Sequence, residues 1–390
     1  MKNTEPLNIV VSGDYCPINR TEKLCSREKY GDIYNDVLPL LKDKDISITN
    51  LECPLTKKVD PIKKAGPNLI SDPNCINGIK YADFDVVALA NNHILDQGVQ
   101  GLKDTLETCS NAGIHTVGAG MNREEISKTL YLRKKNKNIA ILNFAEQEFN
   151  MDENGHAGVN LLSAVSNYYQ IIEAKKNADI IIVIVHGGHE FYNLPSPRMV
   201  NIYRYFADLG ATAVIGHHTH CSSGYEIYND VPIFYSLGNF IFDKEKITDS
   251  RWFEGYFVKL IISNNGKCNI SLIPYYQFNN NKVGMELMKG DEKNNFLKKI
   301  QNYNNVIADA SMLNEEWLIY CKNRKMSYLF RLLPMNRITR RLIKKNIFQM
   351  DKLHNRAKLL RLLNFFRCAA HRDMAIESLK RIIYHDEDNV

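Results

Sequence analysis

The sequence predicts an α/β protein, because segments of strand character and of helix character alternate along the chain as far as residue 215. The clearest strands are residues 180–185 and 211–215, two β-branched runs that stop abruptly at His186 and Gly216. Five of the eleven histidines lie between residues 186 and 220. Since α/β sheets bind ligands at the carboxyl ends of their strands, we expect a polar site there.

The composition is that of a globular protein, with 44% hydrophobic and 24% charged residues in a chain of 390. No apolar run approaches the roughly 20 residues that cross a bilayer. The N-terminal residues lack a signal-peptide hydrophobic segment, so we expect a cytoplasmic location. Nine cysteines without a Cys-x-x-Cys pair argue against a disulfide framework or a thiolate zinc site. Cys16, Cys53 and Cys221 lie beside the motifs described below.

Positive charge is concentrated towards the C-terminus. Residues 321–372 contain fifteen Lys or Arg and one acid, Asp351, a net charge of +14, whereas the whole chain carries +6 and the remainder therefore −8. Apolar residues recur in this region at helical spacing, which predicts two to four helices, with Pro334 between the first two. We therefore expect a main domain, residues 1–280, and a basic, mostly helical extension, residues 281–390.

Three interpretations of the basic segment stay open. It is the solvated face of a small helical subdomain, or it attaches the protein peripherally to anionic lipid at the inner membrane face. Nucleic acid binding ranks last, because no recognised motif accompanies the charge.

The first two predicted strands both lead into carboxylates. Residues 7–12 form a β-branched run with Asp14 just beyond it, where the alternative is an ordinary turn aspartate. Residues 45–50 form the second strand and run into Glu52. The Lys- and Pro-rich residues 56–72 predict a surface loop that can reach over the strand ends.

The third predicted strand, residues 84–90, opens onto a polar string that contains Asn92, His93 and Asp96. Polar side chains placed directly after a buried strand must form hydrogen bonds or bind a ligand, which favours a functional site. The alternative is an elaborate turn in which Asp96 caps the following helix, residues 99–112.

Beyond residue 215 the pattern becomes one of strands only. Residues 231–236 and 238–243 are followed by residues 256–263 and 269–274, and the last two read as a hairpin through Asn265-Gly266. We expect these strands to be antiparallel and to close the second half of a sheet sandwich.

The polar groups at the strand ends form a set of metal ligands: Asp14, Glu52, Asn92, His93, His186, His218 and His220. Carboxylates, a carboxamide and imidazoles without sulfur suit Mn, Fe or Zn. Two divalent ions close together need a bridging carboxylate between them.

Six motifs stand in a fixed order, and together they resemble the bacterial capsule-synthesis CapA family, also called the poly-γ-glutamate biosynthesis family. The motifs are Gly13-Asp14, Asn50-Leu-Glu52-x-Pro54, Ala90-Asn-Asn-His93-x-x-Asp96-x-Gly98, His186-x-Gly188-x-Glu190, Gly216-His-His-x-His220 and Ser236-Leu-Gly-Asn-Phe240. That family resembles the calcineurin-like metallophosphoesterases. The resemblance implies a four-layer α/β/β/α sandwich with metals at the sheet ends.

The resemblance also implies roles for individual residues. Asp14 and His220 would hold a first metal, Glu52 would bridge, and Asn92, His186 and His218 would hold a second. His93 would act near the leaving group as general acid or transition-state stabiliser, oriented by Asp96. Glu190 would support a metal-bound histidine or contact the substrate. Asn239 is a further site residue on the same grounds.

The chain departs from the superfamily pattern at three positions. The metallophosphoesterase Asp-x-His motif is here Asp14-Tyr15-Cys16, so we expect the first metal site to be weak or empty. Gly187 and Thr219 stand where many family members carry Trp and Pro, which bears on the substrate pocket.

The function implied by the resemblance is a metal-dependent hydrolase of phosphoester or amide bonds, acting on a substrate related to capsule polysaccharide or poly-γ-glutamate. The chain has no Gly-x-x-x-x-Gly-Lys-Ser/Thr loop for ATP, so trimming or accessory work is expected rather than ligation. The alternative is a non-catalytic scaffold in a capsule assembly complex, which the missing histidine favours.

Overall fold

The computed structural model describes residues 5–152, 155–244, 246–279, 282–333, 335–345, 347 and 355–384. The chain divides into two compact units, Met1–Trp317 and Leu318–Val390. The contacts thus place the division near residue 318, whereas the sequence suggested 281. The separate roles expected for the two parts stay a prediction.

The first unit is built on two large sheets. In chain order the strands are β1 (Leu7–Cys16), β2 (Ile46–Leu51), β3 (Val86–Ala88), β4 (His115–Val117), β5 (Ala119–Gly120), β6 (Leu130–Lys134), β7 (Lys137–Ala145), β8 (Gly158–Val159), β9 (Ile180–His186), β10 (Ala213–His217), β11 (Tyr225–Tyr228), β12 (Val231–Phe234), β13 (Asn239–Phe242), β14 (Glu254–Ile262), β15 (Cys268–Tyr276) and β16 (Glu286–Leu287). The first sheet has the order β16-β15-β14-β1-β2-β3-β4, with β13 also paired to β1. The second has the order β11-β12-β10-β9-β7-β6, and β5 and β8 form a small separate pair.

The two sheets pack face to face through one apolar layer. Residues that alternate along the strands of the first sheet, such as Ile9 and Ile48, share a buried cluster with Ile182, Ile184 and Ile215 of the second. The opposite faces of the same strands pack on helices. Strands buried on both faces are nearly continuous runs of Val and Ile, which is why they could be recognised in the sequence.

Helices form the outer layers and complete an α/β/β/α sandwich, which confirms the expected fold class. In chain order the helices of the first unit are α1 (Arg20–Cys25), α2 (Tyr30–Tyr34), α3 (Leu38–Lys42), α4 (Ile76–Tyr81), α5 (Gly98–Ala112), α6 (Arg123–Ser127), α7 (Ala164–Asn177), α8 (Pro197–Leu209) and α9 (Gly290–Ala308), and α10 (Ala310–Leu332) runs into the second unit. The first sheet buries α1 to α5 through residues such as Ile79 and Leu102, and the second buries α7 and α8 through Ile171 and Phe206. Phe296 of α9 inserts into the layer between the sheets, so the core extends well past residue 281.

Three expectations about the strands need correction. Asp14 lies within β1 rather than beyond it, because parallel pairing with β2 and β13 continues to the end of the strand. Antiparallel pairing was expected of β12 and β13, but β13 is parallel to β1, and β12 is parallel to β10 and antiparallel only to β11. The β14–β15 hairpin is antiparallel as predicted, but β14 extends the first sheet by pairing with β1, which buries Val258 between the sheets.

The second unit is helical in the part that the structure describes. It contains the end of α10 and the helices α11 (Arg337–Lys344), α12 (Arg356–Arg367) and α13 (Ala369–Tyr384). Pro334, the expected separator, lies outside the described residues. Within the described ranges of the whole chain, no helix is long and apolar enough to cross a membrane.

We predict that Gly13→Ala destabilises the protein. A Cβ at Gly13 would lie 1.9 Å from the carbonyl oxygen of Gly238, so β1 and β13 would have to separate. Overpacking of this kind costs about 1–3 kcal/mol, measurable as a lower free energy of unfolding in denaturant. Gly31→Ala is the matched control, since its nearest neighbour, the Tyr81 hydroxyl, would lie at 3.5 Å. Equal stability of the two variants would contradict the close approach.

Candidate metal centre

The candidate site lies where the carboxyl ends of strands from both sheets meet. Asp14 in β1 pairs in register with Asn50 of β2 and Asn239 of β13. In the second sheet, His186 ends β9 and pairs with His217, which ends β10. The sequence pattern of strand followed by polar residue therefore has a direct structural cause. Packing of the sheets brings the two sets of strand ends together.

The chain turns sharply after β10. His218 and His220 both have positive φ angles, 92° and 56°. Such conformations are uncommon for residues other than glycine and cost of order 1 kcal/mol or more, so they persist where the surroundings enforce them. Both residues are buried in the same cluster of polar side chains.

Glu52, His186 and His218 form the first of two groups that could hold a metal ion. The Nε2 atom of His186 lies 3.1 Å from Nδ1 of His218 and 3.6 Å from Oε1 of Glu52. Asn92 joins this group, with its Oδ1 atom 3.0 Å from the same Nε2. Two ring nitrogens and two oxygens thus converge, and nitrogen and oxygen atoms of these side chains are the usual ligands of a divalent cation.

Asp14, Glu52 and His220 form the second group, which shares Glu52 with the first. Nε2 of His220 lies 3.7 Å from Oε1 of Glu52, while Nδ1 of His220 lies 3.0 Å from Oδ1 of Asn239. Asn239 therefore accepts from Nδ1–H and leaves Nε2 with a lone pair directed at Glu52. This is the orienting contact that metal-binding histidines need.

Glu52 is fully buried, and neither of its carboxylate oxygens has a hydrogen-bond partner among the described residues. Burial, together with the negative charge of Asp14, raises the pKa of Glu52 well above its ordinary value. An ionised carboxylate in such surroundings is strongly unfavourable unless a cation compensates it. The shared carboxylate therefore fits the bridging position between two divalent ions.

The pKa of Asp14 moves the opposite way. Burial alone would raise it, but the hydrogen bond and charge of His217 outweigh burial and hold the pKa below its usual range. Oδ1 of Asp14 lies 3.0 Å from Nδ1 of His217 and accepts from the Asn50 amide at 2.8 Å. Asp14 is thus held as a carboxylate and in a fixed orientation.

His186 and His220 are uncharged near neutral pH. Burial lowers the pKa of His186 well below its ordinary value and lowers that of His220 to about 4. A neutral imidazole keeps the lone pair that binds a metal. The site therefore combines neutral nitrogen ligands with two carboxylates, one of which needs a cation.

Cys16, at the position where the resemblance implied a histidine, does not join either ligand group in the described part of the chain. Burial and a hydrogen bond with Cys53 raise the pKa of Cys16 well above its ordinary value, so it stays a thiol. Cys221 is also buried, with its sulfur 3.7 Å from the Thr219 hydroxyl. The group around Asp14 therefore has three ligands, and the weak first site stays a prediction.

His93 and Asp96 lie together as the resemblance implied, 2.6 Å apart between Nδ1 and Oδ2. The sequence did not single out Lys64, whose side chain is only 3% exposed and whose Nζ lies 2.5 Å from Oδ1 of Asp96. Lys64 also donates to the Asn92 carbonyl at 3.2 Å. The loop of residues 56–72 does reach the site, but nothing in the sequence separates Lys64 from its neighbour Lys63.

Glu190 is exposed. It is close enough for its negative charge to raise the pKa values of Glu52 and His220, although burial is the larger influence on both. The side chain that lies against Nδ1 of His186 is Asn50, at 3.2 Å from its Nδ2 atom. The role expected for Glu190 therefore stays a prediction.

The fold and site define a class, a four-layer α/β/β/α protein with a candidate dinuclear metal centre at the sheet ends. The sequence profile of the bacterial capsule synthesis protein PGA_cap matches residues 8–244. The chain belongs to this family.

Two curated relatives carry names of the same kind. The chain is 29% identical over 282 residues to the capsule biosynthesis protein CapA of Bacillus anthracis, covering 70% of this chain and 68% of that protein. It is 34% identical over 240 residues to the PGA biosynthesis protein CapA of Bacillus subtilis, covering 60% and 62%. The match thus spans about two thirds of each relative.

Solved structures show weaker likeness. A putative 5′-nucleotidase from Staphylococcus aureus has a TM-score of 0.43 and 15% identity, covering 76% of this chain and 58% of that one. A hypothetical protein from Thermus thermophilus has a TM-score of 0.45 and 12% identity, covering 70% and 100%. Likeness at this level carries no conclusion about function.

We predict that metal content follows the two ligand groups. Elemental analysis of protein loaded with Mn and then desalted should give between one and two equivalents per chain. His186→Ala should lose the ion held by the Glu52, His186 and His218 group, which we expect to bind more tightly. His220→Ala should lose only the weaker ion of the group around Asp14, and Glu52→Ala should lose both ions. The exposed His115→Ala serves as control and should match the wild type. Full metal content in Glu52→Ala would show that the carboxylate is not a ligand.

Proposed function

We propose that the protein is a metal-dependent hydrolase of phosphoester or amide bonds, acting on a substrate related to capsule polysaccharide or poly-γ-glutamate. The observation that carries the proposal is the buried Glu52 carboxylate, shared by two ligand groups and without a hydrogen-bond partner among the described residues. The family and the names of the Bacillus relatives support the link to capsule or poly-γ-glutamate synthesis. Divalent ions bound there would polarise the bond to be cleaved and lower the pKa of an attacking water.

The residues around the ligand groups have separate tasks in this proposal. Asn239 and Asn50 fix the rings of His220 and His186. The ring of Trp252 covers His220 at 4.9 Å and is stacked with Phe191 at 5.9 Å, so this wall excludes water from one side. Exclusion of water strengthens the electrostatic interactions within the site.

His93 is the proposed proton donor to the leaving group. The contact between Nδ1 and Asp96 fixes the ring and holds one proton on Nδ1. Nε2 has no hydrogen-bond partner among the described residues, and it donates a proton to the leaving group when the ring is doubly protonated. Lys64 holds Asp96 from the other side, and the Leu69 backbone N–H donates to Asp96 at 2.6 Å. Lys64 thus positions Asp96, and Asp96 positions the ring of His93, which sets the direction in which the proton is delivered.

The proposed compartment is the cytoplasm, which suits nine cysteines that are all free. A second candidate function is a non-catalytic scaffold for capsule assembly. The observation that favours it is the three-ligand group around Asp14, where Cys16 contacts Cys53 instead of the site. A chain that binds one ion or none and turns over no substrate would support the scaffold.

The hydrolase proposal predicts turnover by Mn-loaded protein of bis-p-nitrophenyl phosphate or of γ-glutamyl p-nitroanilide. On a substrate with a poor leaving group, His93→Gln should lower kcat by about 10²–10⁴-fold, the usual contribution of a general acid, and on the nitrophenyl or nitroanilide substrates by less. Lys64→Met should slow substrates with a poor leaving group, such as an alkyl phosphodiester or alkylamide, more than the nitrophenyl or nitroanilide substrates. This follows because a poor leaving group depends more on correctly placed protonation.

The matched control is Lys63→Met, which removes an exposed lysine from the same loop and should leave both rates unchanged. Lys64→Arg should restore part of the rate on poor leaving groups. If Lys64→Met and His93→Gln reduced turnover equally for good and poor leaving groups, neither residue would take part in proton transfer to the leaving group. No turnover of either substrate class by metal-loaded protein would refute the hydrolase.

A further inference from the structure

The last two described helices expose an unusual amount of apolar surface. In α12 and α13, nine Leu, Ile, Met and Phe side chains are between 41% and 69% exposed: Leu360, Leu363, Phe365, Phe366, Met374, Ile376, Leu379, Ile382 and Ile383. No side chain of α12 is buried. Scattered exposed apolar residues are normal, but so many on two consecutive helices indicate a surface that binds another molecule.

The apolar residues are arranged in helical faces. In α12, Leu359, Leu362, Leu363 and Phe366 follow the i, i+3, i+4, i+7 spacing of one side of a helix. Leu359 and Leu362 are half-buried, whereas Leu363 and Phe366 are exposed. In α13, Ile376, Leu379 and Ile383 repeat the same spacing, and all three are exposed.

Basic side chains lie beside these faces. In α12 they are Arg356, Lys358, Arg361 and Arg367, four of the fifteen Lys and Arg between residues 321 and 372. Within the described part of that stretch, no basic side chain makes an ion pair with a carboxylate. Among the described residues, ion pairs therefore do not compensate this positive charge, and the charged side chains lie on the same helices as the exposed apolar ones.

The combination of basic and exposed apolar side chains indicates which kind of molecule binds this surface. A second copy of the same surface would bring two strongly positive segments together, which is unfavourable. Nucleic acid would use the charge but not the Leu, Ile and Phe, because such interfaces are polar. An anionic lipid surface uses both, since basic residues attract its headgroups and apolar side chains enter the boundary with the acyl chains.

We propose that α12 and α13 form a docking surface for anionic lipid membranes, with Leu363 and Phe366 inserted and Arg361 and Arg367 at the headgroups. The proposal does not depend on hydrolysis or on metal binding. It places the protein at a membrane surface through the helical unit.

The test is co-sedimentation of the full chain with vesicles of phosphatidylcholine alone and with about one third phosphatidylglycerol, at low and high ionic strength. Binding is expected to the anionic vesicles only, and it should weaken as salt screens the charge. Arg361→Glu/Arg367→Glu should weaken binding about ten-fold or more, given the contribution of each basic residue near such a surface. Leu363→Ser/Phe366→Ser should weaken it similarly and abolish the part that survives high salt.

Matched controls lie on the first unit. Lys267→Glu/Lys293→Glu makes the same change of charge at exposed positions, and Val165→Ser/Tyr169→Ser removes exposed apolar side chains from α7. Both should bind like the wild type. Far-ultraviolet circular dichroism and metal content of every variant establish that the protein is still folded, so a loss of vesicle binding is read independently of hydrolysis.

Three results would overturn the proposal. Equal binding of the helix variants and the wild type would place the contact elsewhere. Concentration-dependent dimerisation that the Leu363→Ser/Phe366→Ser variant loses, without vesicle binding, would assign the surface to a second copy. Tighter binding to duplex RNA or DNA than to anionic vesicles at the same salt would assign it to nucleic acid.

Discussion

Glu52 sits where the strand ends of two sheets meet, fully buried, and neither of its carboxylate oxygens finds a hydrogen-bond partner within the described chain. Its neighbours offer little compensation, because His186 and His220 are neutral at physiological pH and Asp14 adds negative charge. A protein tolerates such a carboxylate in one of two forms, protonated or bound to a cation. Everything else in the site is arranged around this constraint.

The fold buries both Glu52 and Asp14, but among the described residues it supplies hydrogen-bond partners to Asp14 only. Packing of two largely apolar sheets removes water from the strand ends, and that burial shifts the pKa values of the groups placed there. Asp14 and Glu52 lie in the same cluster yet shift in opposite directions, since Asp14 has His217, Asn50 and a backbone N–H as partners while Glu52 has none within the described chain. One carboxylate is stabilised by the protein, and the other is left for a ligand.

The sequence predicted the parts of this arrangement that depend on local pattern. Buried parallel strands are continuous apolar runs, and a polar residue directly after such a run is visible without a structure, as with Glu52 and His186. Lys64 was missed because a lysine in a Lys-rich loop shows its burial only when the loop folds over Asp96. The antiparallel pairing predicted for β12 and β13 was correct for the pair β11–β12 and wrong for β10–β12 and β1–β13, since strand direction depends on which distant strand is the neighbour. Helix α9 lies beyond residue 281, and its Phe296 is buried in the core between the sheets.

The most direct measurement is the stability of wild type and Glu52→Gln as a function of pH, with and without metal. In metal-free wild type, the folded state keeps a proton on Glu52 at pH values where the unfolded state has lost it. The free energy of unfolding should therefore fall, relative to Glu52→Gln, by up to about 1.4 kcal/mol per pH unit as pH rises above the ordinary glutamate pKa. Added Mn should reverse the order and stabilise the wild type more than the variant. Parallel pH profiles and equal responses to Mn would contradict a buried carboxylate that requires a cation.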